Sequence, residues 1–339
     1  MSVLHIPSQK GGRPFSDFVV VSEAMRSILT TVDQVAPYRA TVLITGESGT
    51  GKELLAQIIH LRSGRAEGPF IAMNCGTLSG QLFEDKLFGH EEGAFTGAVK
   101  TQPGRFEMAD GGTLFLDEVS ELTPENQLDF LRVLESGELR RIGGKSLLQV
   151  DVRVIAASNR PLADMVSEGT FRQDLFYRLH VIPLHVPPLR ERAEAVPHLI
   201  EYFLGQFSSL YQKPRISFTP EAVKVLTTYR WPGNVRELRN MVERVFVLNR
   251  TGVVGVEDLP AECRQHGGGH QGSNLKNLCH STEHRAIIDA LERFNGNRDK
   301  VAAFLGISPR TLRYKLSRFE ISFRRGGRGG RATSQTPGR

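Results

Sequence analysis

The stretch that decides the fold is "ATVLITGESGTGKELLAQIIHLRS", residues 40–63. It has the pattern of an apolar strand, a glycine-rich turn and a helix with apolar residues at helical spacing. The turn "GESGTGKE", residues 46–53, matches the first seven positions of the phosphate-loop pattern. In such a loop, backbone N–H groups surround phosphates and the N-terminus of the next helix adds partial positive charge. The stretch therefore predicts an α/β nucleotide-binding domain.

Working outward, two further apolar segments end in polar residues: "GGTLFLDEVSEL" at 111–122 and "VDVRVIAASNRPL" at 150–162. A helix is predicted between them at "PENQLDFLRVLESGEL", 124–139, where Pro124 suits the first turn. Strands that alternate with helices imply a mostly parallel sheet with ligands at the strand C-termini. From Ala195 to Leu248 the pattern is helical only, which predicts a helical lid on this sheet.

The phosphate loop predicts which residues hold the nucleotide. Lys52 neutralises the outer phosphates, and Glu53 stands where a magnesium-binding hydroxyl is usual. Asp117, at the end of a buried strand, is therefore the predicted Mg²⁺ ligand, and Glu118 beside it the group that polarises the attacking water. The predicted nucleotide-binding residues of the loop are Gly46, Glu47, Ser48, Gly49, Thr50, Gly51, Lys52 and Glu53.

Composition limits the class of protein. The chain has 339 residues, enough for two or three domains, and 40% hydrophobic with 24% charged residues is ordinary for a globular protein. No apolar run is long enough to cross a bilayer, and the N-terminus has no signal-peptide core, so we expect a cytoplasmic protein without a membrane partner. Three cysteines are too few and too scattered for a disulfide framework.

Charge is unevenly distributed along the chain. The net charge is +6, but residues 280–339 hold thirteen Lys and Arg against five Asp and Glu, so this end carries +8 and the first 279 residues carry −2. A basic terminus on a near-neutral body predicts that one module meets a polyanion.

The basic end has the pattern of three helices in "STEHRAIIDALERFNGNRDKVAAFLGISPRTLRYKLSRF", 281–319, with "GIS" as a tight turn. Leu312 and Leu316 are predicted to face its core. This pattern predicts a helix-turn-helix that binds double-stranded DNA, with a small dimerisation unit as the alternative. The predicted DNA-binding residues are Arg310, Thr311, Arg313, Tyr314 and Lys315.

Six motifs occur in order: "GESGTGKE", "GAFTGA", "GGTLFLDE", "FRQDLFYRL", "PPLRER" and "WPGNVRELRN". Over about residues 16–262 the chain resembles the AAA+ domain of bacterial enhancer-binding proteins, the activators of sigma-54 RNA polymerase. Its end resembles the Fis-type helix-turn-helix of the same family. The resemblance implies the cofactors ATP and Mg²⁺, with double-stranded enhancer DNA and the sigma-54 RNA polymerase holoenzyme as partners.

The resemblance also assigns roles to single residues. Asn159 resembles the sensor that reads the γ-phosphate, and Arg236 the lid arginine that points to the phosphates. Asn74 matches the asparagine that holds the catalytic glutamate. Arg172 and Arg178 resemble arginine fingers that reach a neighbouring subunit's nucleotide. Fingers that act between subunits imply a homo-oligomer, from a dimer up to a hexameric ring.

The motif "GAFTGA" consists of Gly93, Ala94, Phe95, Thr96, Gly97 and Ala98. A loop of small residues around one aromatic changes conformation easily, so we expect an exposed Phe95 at its tip. The resemblance implies that this loop contacts sigma-54 and couples hydrolysis to promoter opening. The alternative is a surface hairpin whose Phe packs back onto the body of the domain.

These features divide the chain into a short N-terminal tail (1–15), an α/β ATPase subdomain (16–187), a helical lid (188–262), a linker (263–274), a helix-turn-helix domain (275–323) and a basic disordered tail (324–339). About fifteen residues precede the ATPase region, as in the phage-shock activator group. That layout predicts control by a separate regulatory protein or by expression level.

Three other interpretations stay open at this point. A general AAA+ remodeller, such as an unfoldase or a replication initiator, would lack "GAFTGA", and a DNA-binding repressor with a relic ATPase would not need an intact Lys52, Asp117 and Glu118. A zinc site near the linker is disfavoured because no spacing fits a standard pattern. Its candidate ligands would be Cys263, His266, His270, Cys279, His280 and His284.

Overall fold

The structure, a computed structural model, describes residues 2–6, 16–76, 80–264, 294, 298–304 and 312. The chain forms two compact units, Met1–Gly268 and Gly269–Arg339. In the first unit the strands are β1 Ser2–Ile6, β2 Ser16–Val20, β3 Val42–Thr45, β4 Phe70–Asn74, β5 Gly89–His90, β6 Gln102–Pro103, β7 Thr113–Asp117, β8 Glu138–Leu139, β9 Leu148–Gln149, β10 Arg153–Ser158, β11 Ile182–His185, β12 Ser217–Phe218 and β13 Val253–Val254.

The helices of the first unit are α1 Glu23–Val35, α2 Lys52–Leu61, α3 Gln81–Phe88, α4 Arg105–Met108, α5 Pro124–Ser136, α6 Leu162–Ser167, α7 Gln173–Leu179, α8 Ala195–Tyr211, α9 Pro220–Thr228, α10 Asn234–Leu248 and α11 Ala261–Arg264. Short 3₁₀ turns lie at Val119–Glu121, Leu189–Arg192 and Val256–Asp258. As predicted, Pro124 begins α5, behind the N-cap Thr123.

The centre of the first unit is a five-stranded parallel sheet in the order β11-β3-β10-β7-β4. Its register places Asn74 opposite Asp117, and Thr45 opposite both Ser158 and His185. The carboxyl ends of the strands therefore meet at one edge, where parallel α/β sheets bind ligands. The predicted fold class, a parallel-sheet α/β domain, is confirmed.

Two strands of this sheet, β4 and β11, were not predicted. Strand β11 is "IPLH", and Pro183 disfavours a strand by its sequence. It lies at the sheet edge, where a missing N–H donor is tolerated because only one neighbour, β3, needs pairing. Part of the predicted N-terminal tail also forms strand β1, which pairs antiparallel with β2.

Apolar side chains bury both faces of the sheet. In β7, Leu114 and Leu116 pack into one core with Phe130 of α5, whereas Phe115 between them packs into the other core with Leu55 of α2. Alternate residues of a strand point to opposite faces, which explains this division. The sheet is thus packed on both faces, and this packing holds the residues at its carboxyl edge in place.

The lid, α8 to α11, has its own core around the fully buried Trp231, whose Nε1 donates to the Leu226 carbonyl at 2.8 Å. The region from Ala195 to Leu248 is not wholly helical, because Ser217–Phe218 forms a short parallel pair with β13. The lid also continues past residue 262: Cys263, predicted to begin the linker, is buried in α11 because it packs into the lid core.

The second unit is described at few positions. Helix α12, Arg298–Phe304, lies within the segment 281–319 that is predicted to form the helix-turn-helix, and its Val301 and Ala302 are buried. The Phe294 and Phe304 rings lie 5.3 Å apart, and Leu312 is buried as expected for a core position. Within the part of the chain that the structure describes, no helix is long and apolar enough to span a membrane.

Candidate nucleotide site and partner loop

The phosphate loop lies between β3 and α2 at the ligand-binding edge of the sheet. Gly49 has a φ of +78°, and a Cβ there would lie 2.4 Å from the Gly233 carbonyl oxygen of the lid, so only glycine fits. The N-cap of α2 is Gly51, which offers no side-chain cap to the first helical N–H groups. These unused donors and the concave backbone form a cradle that fits phosphate oxygens.

Lys52 is buried inside this cradle. Its Nζ donates to the carbonyl oxygens of Gly46 at 2.8 Å and Glu47 at 3.0 Å. Burial lowers the pKa of Lys52, an effect opposed by the negative charges of Asp117 and Glu118. A cation held here by neutral carbonyls and two nearby carboxylates is placed to bind an anionic ligand.

Asp117 is the last residue of β7, and Glu118 follows it directly, close to the loop. Burial raises the pKa of Asp117, against the opposing charge of Lys52. Glu118 has a positive φ of 57°, and its N–H donates to Asp117 Oδ1 at 3.0 Å. A non-glycine residue in this conformation is uncommon, and such strain concentrates at functional sites.

Asn74, at the end of β4, holds the glutamate directly. Its Nδ2 donates to Glu118 Oε2 at 3.1 Å, and its Oδ1 accepts from the Gly76 N–H at 2.8 Å. Directly after β10, the exposed Asn159 accepts from Ser120 Oγ at 3.3 Å. The structure therefore brings Lys52, Asp117, Glu118, Asn74 and Asn159 to one edge of the sheet, as the sequence predicts.

The lid reaches the same loop through several side chains. Arg236 Nη1 donates to Ser48 Oγ of the loop at 3.0 Å, and its contact with phosphates stays a prediction. The buried Asn234, with a φ of +51°, donates from Nδ2 to the Ser48 carbonyl at 3.0 Å and to Glu47 Oε2 at 3.1 Å, and accepts from the Leu189 N–H at 2.7 Å.

Two further arginines of the lid join the loop, and the sequence assigned them no role. Arg190 forms a two-pronged ion pair with Glu47, at 2.7 and 2.8 Å. Arg192 is buried and donates to the Thr50 carbonyl at 2.9 Å, and its burial lowers its pKa to about 10. The signal for these contacts lies in "PPLRER", which contains Arg190 and Arg192, and in "WPGNVRELRN", which contains Asn234 and Arg236.

The two predicted arginine fingers do not join the site within one chain. Arg172 forms an ion pair with Asp174 at 2.6 Å, and Arg178 donates to the Leu134 carbonyl at 3.0 Å. Both side chains are exposed on and beside α7, next to the exposed Tyr177. Their placement leaves both guanidinium groups open to a second molecule.

The segment 93–98 is a compact turn outside the sheet. The Gly93 N–H donates to the Ala98 carbonyl at 2.9 Å, and the Ala98 N–H to the Phe95 carbonyl at 3.0 Å. Gly93 and Gly97 have φ values of +78° and +113°, and a Cβ at either would meet no atom within 4 Å. Thr96 and Gly97 at the tip are exposed.

Phe95 is half-buried rather than fully exposed, which corrects the sequence expectation. Its ring packs edge-on against His90, with centroids 5.0 Å apart, and His90 Nδ1 contacts the Asp85 carboxylate. Contact with the His90 ring removes part of the phenyl surface of Phe95 from water, which is energetically favourable.

Oppositely charged side chains pair at the base of segment 93–98. Arg141, from the connection between β8 and β9, donates to Glu107 at 2.6 Å and to Glu91 at 2.9 Å. Gly143 of the same connection lies against Ala94, where a Cβ would approach the Ala94 Cβ to 2.7 Å. Segment 93–98 therefore packs against the connection between β8 and β9.

No set of three or more His, Cys, Asp and Glu side chains forms a metal cage in residues 16–76 and 80–264. A divalent ion held by Asp117 would thus need ligands from nucleotide phosphates and water, as Mg²⁺ usually does. Cys75 and Cys263 are buried free thiols, and burial raises the pKa of Cys263 to about 12. Of the candidate zinc ligands only Cys263 lies among the described residues, and it packs in the lid core.

The predicted DNA-binding residues Arg310, Thr311, Arg313, Tyr314 and Lys315 lie outside the described residues, as do the basic tail and residues 265–274.

Three family models match successive parts of the chain. A sigma-54 interaction domain matches residues 18–185, an AAA+ ATPase lid domain matches 190–276, and the Fis family of bacterial regulatory proteins matches 281–319. The first match includes the phosphate loop, both carboxylates and segment 93–98, and the third includes the predicted helix-turn-helix.

Several bacterial regulatory proteins are similar to this chain. The chain is 48% identical to the regulatory protein AtoC of Escherichia coli K12, over 88% of this chain and 67% of that protein. It is 46% identical to the transcriptional regulatory protein ZraR of Klebsiella oxytoca (90% and 70%) and 42% identical to the Nif-specific regulatory protein of Azotobacter vinelandii (93% and 61%). A crystal structure of NtrX from Brucella abortus in complex with ATP is 38% identical, with a TM-score of 0.68 over 89% of this chain and 68% of that one.

Proposed function

Because the chain belongs to the family of bacterial sigma-54-dependent transcriptional activators, in which an AAA+ ATPase is joined to a Fis-type helix-turn-helix domain, we propose that it hydrolyses ATP as a ring to open promoters. Bound to enhancer DNA upstream, the ring remodels the sigma-54 RNA polymerase holoenzyme from the closed to the open complex. The observation that carries this proposal is the placement of a phosphate loop and two acidic residues in the same domain as segment 93–98.

The chemistry of the site supports a nucleoside triphosphate, and the similar NtrX structure in complex with ATP supports ATP as the nucleotide. Lys52 and the N-terminus of α2 supply positive charge for the phosphates, and Asp117 supplies an oxygen ligand for Mg²⁺. The metal ion would neutralise charge on the transferred phosphoryl group. Glu118 would orient and deprotonate the attacking water once its carboxylate leaves Asn74. Asn159 and Arg236 would contact the phosphates from the sheet and from the lid.

The arginines of α7 support assembly into a ring. Arg172 and Arg178 lie away from their own phosphate loop and are exposed. A guanidinium supplied by the next subunit would stabilise charge that develops on the phosphoryl oxygens, an effect worth about 10³-fold or more. We therefore propose that the active site is complete only between two subunits of a homo-oligomer.

The structure of segment 93–98 supports sigma-54 as the partner. Its exposed Thr96 and half-buried Phe95 would leave the His90 surface and contact sigma-54 in one nucleotide state, then withdraw in another. We propose that this movement delivers the energy of hydrolysis to the polymerase. The DNA contact is assigned to Arg310, Thr311, Arg313, Tyr314 and Lys315, and the domain boundaries given for the sequence are proposed with it.

A two-part assay tests the proposal. Purified protein is expected to release phosphate from ATP, and in the presence of ADP and aluminium fluoride to retain purified sigma-54 on a column. The general AAA+ remodeller would hydrolyse ATP without retaining sigma-54, whereas a repressor with a relic ATPase would release no phosphate. Either result contradicts the proposal and identifies which half is wrong.

The substitution Thr96→Ala separates the two halves in one protein. We expect ATP hydrolysis to stay within about twofold of wild type, because Thr96 is exposed on a turn outside the sheet, and open-complex formation to fall at least about tenfold. Phosphate release and in vitro transcription from a sigma-54 promoter measure the two activities. Thr228→Ala, an exposed threonine on α9, is the matched control and should preserve both. Equal retention of both activities by Thr96→Ala would remove the segment from the mechanism.

A further inference from the structure

Gln127 is a buried glutamine on α5, with only 1% of its surface exposed. Its side-chain amide uses both of its N–H donors, because Nε2 donates to the carbonyl oxygens of Leu122 at 3.0 Å and Thr170 at 3.1 Å. Its Oε1 accepts from the backbone N–H of Arg172 at 2.8 Å. One side chain therefore joins α5 to two segments that are distant from each other in the sequence.

The first of these is the acidic segment, residues 117–122. Leu122 closes the 3₁₀ turn that follows Glu118, and its N–H donates to the Val119 carbonyl at 3.3 Å. Within the same turn, Ser120 Oγ donates to Asn159 Oδ1 at 3.3 Å. The carbonyl that the buried amide holds is thus part of the short segment that carries the proposed water-activating glutamate.

The second is the start of α7, where the backbone and the side chain of Arg172 are held separately. Arg172 is the N-cap of α7: its carbonyl accepts from the Phe176 N–H at 3.0 Å, while its own N–H donates to Gln127. Its guanidinium forms a two-pronged ion pair with Asp174, at 2.6 and 3.0 Å. Gln127 therefore sets where the main chain of this arginine lies.

Apolar packing also joins these elements, so the glutamine is not needed merely to hold them together. Leu122, Phe171 and Leu175 are buried in the same core as Phe130 of α5. Apolar packing has no preferred direction, whereas three hydrogen bonds to one planar amide fix the positions of the bonded backbones. A buried amide is costly unless its polar groups are paired, so we attribute its presence to this positioning.

We propose that Gln127 is a positioning residue for Arg172: it fixes the arginine that this chain offers to the neighbouring subunit onto the acidic segment of its own nucleotide site. The proposal rests on the function proposed above, in which Arg172 acts on the nucleotide of the next subunit. A movement of the acidic segment would then shift Arg172, and adjacent sites of a ring would be coupled through one buried side chain.

Kinetics of Gln127→Met, Arg172→Ala and the double variant test the positioning role in the full chain. Methionine has a similar size and flexibility but no amide, so it preserves the packing and removes three hydrogen bonds. We expect Gln127→Met to lower kcat for ATP about 10- to 100-fold with KM within about twofold, because displacing a catalytic group by about 1 Å has an effect of that size. In the Arg172→Ala background the same substitution should lower kcat no further.

Two further variants control for folding and for the loss of an amide. Gln206, a half-buried glutamine of α8 whose amide contacts Tyr202, is the matched control, and Gln206→Met should keep wild-type kcat. Gln127→Glu keeps the side-chain length and an acceptor for the Arg172 N–H, but offers no amide donor to the two carbonyl oxygens. It should also lower kcat, and it carries the test if Gln127→Met is not recovered folded.

Mixed rings separate an effect on the arginine from an effect on the chain's own site. Equal amounts of Lys52→Ala and Arg172→Ala chains, purified together through two different tags, should regain about a quarter of wild-type phosphate release, because about a quarter of the subunits pair an intact site with an intact arginine. Adding Gln127→Met to the Lys52→Ala chain should remove most of this recovery. Conversely, rings of Gln127→Met and Lys52→Ala chains should regain it, because the Gln127→Met sites receive an intact arginine.

Three results would overturn the proposal: wild-type kcat in Gln127→Met, an equal loss with and without Arg172, or recovery in mixed rings that does not depend on Gln127. In each of these cases wild type still releases phosphate, and only the role of Gln127 is lost. If Lys52→Ala and Arg172→Ala chains recover nothing together, the action of Arg172 between subunits is wrong and the proposal fails with it. If wild type itself releases no phosphate from ATP, the proposed function fails first.

Discussion

At the scale of residues, the nucleotide site places opposite charges close together at a partly buried edge of the sheet. Lys52 is buried, and Asp117 and Glu118 raise its pKa against the effect of burial. The pKa of Asp117 is in turn held down by Lys52 while burial raises it. Removing a single member therefore changes the charge balance of the whole site, not only the role of one side chain.

The first residue-scale prediction concerns Glu118. Glu118→Gln keeps the shape and still accepts from Asn74, but it cannot take a proton from water. We expect kcat to fall about 10²- to 10⁴-fold with ATP affinity retained, because general-base catalysis is worth about that much. Phosphate release and equilibrium binding of a fluorescent ATP analogue give the two numbers. Glu168→Gln, an exposed glutamate after α6, should match wild type. Wild-type turnover in Glu118→Gln would assign the base to another residue.

The sequence identifies these residues well, because their spacing follows from covalent order: a glycine-rich turn before a helix, and two acids after an apolar strand. It does not reveal Asn234. The importance of Asn234 depends on a positive φ and on three hydrogen bonds of its side chain to the phosphate loop and to Leu189. Such roles depend on distances in the folded chain.

At the scale of elements, the phosphate loop is joined to the lid by side chains from two lid segments. The turn Leu189–Arg192 contributes Arg190 and Arg192, and the start of α10 contributes Asn234 and Arg236. A nucleotide that moves the loop must therefore move the lid or break these contacts. The sequence shows both elements, but their pairing depends on a chain separation of about 140 to 190 residues, which local patterns do not encode.

The Glu47–Arg190 pair gives a pH-dependent prediction at this scale. The hydrogen bond from Arg190 lowers the pKa of Glu47 below its usual 4.5. Its stabilising effect is therefore complete above pH 4.5 and is lost as the pH falls through the lower folded pKa. Because both side chains are about two-fifths exposed, Glu47→Gln should lower the free energy of unfolding by at most about 1 kcal/mol at pH 7.

Urea unfolding of wild type and Glu47→Gln at pH 7 and below pH 4 measures this difference. We expect the two proteins to differ at pH 7 and to converge in acid. Glu191→Gln provides the control, because Glu191 lies 3.9 Å from the same arginine and should contribute less. A difference that persists unchanged in acid would show that the pair stabilises the lid through packing rather than charge.

At the scale of the whole molecule, one chain holds two proposed halves of an active site, the phosphate loop and Arg178, which lie apart. The phosphate loop and its carboxylates lie at the carboxyl edge of the sheet, and Arg178 bonds instead to α5. The parallel sheet and the lid follow from the sequence by alternation of strands and helices. The strand order β11-β3-β10-β7-β4 does not, because two of its strands lack a clear pattern.

Mixing two inactive variants tests whether the halves complete each other between copies. Lys52→Ala lacks a working site but keeps its arginines, and Arg178→Ala lacks the arginine but keeps its site. In an equal mixture, about a quarter of all subunits would pair an intact site with an intact Arg178, so about a quarter of wild-type phosphate release should return.

Each variant alone at the same total concentration is the control, and co-purification of differently tagged chains confirms that mixed rings form. Mixed rings without recovered activity would place the action of Arg178 within its own chain or outside catalysis.

The positive φ values of Gly93 and Gly97 allow an L- and a D-amino acid to be compared at the same position of segment 93–98. At φ values of +78° and +113° a D-alanine adopts the existing backbone comfortably, whereas an L-alanine is strained even though its Cβ would meet no atom within 4 Å. Two semisynthetic proteins of identical composition would then differ only in stereochemistry at the loop. The mirror-image residue would stiffen the observed shape, and so would reveal whether the polymerase recognises that shape or a different one.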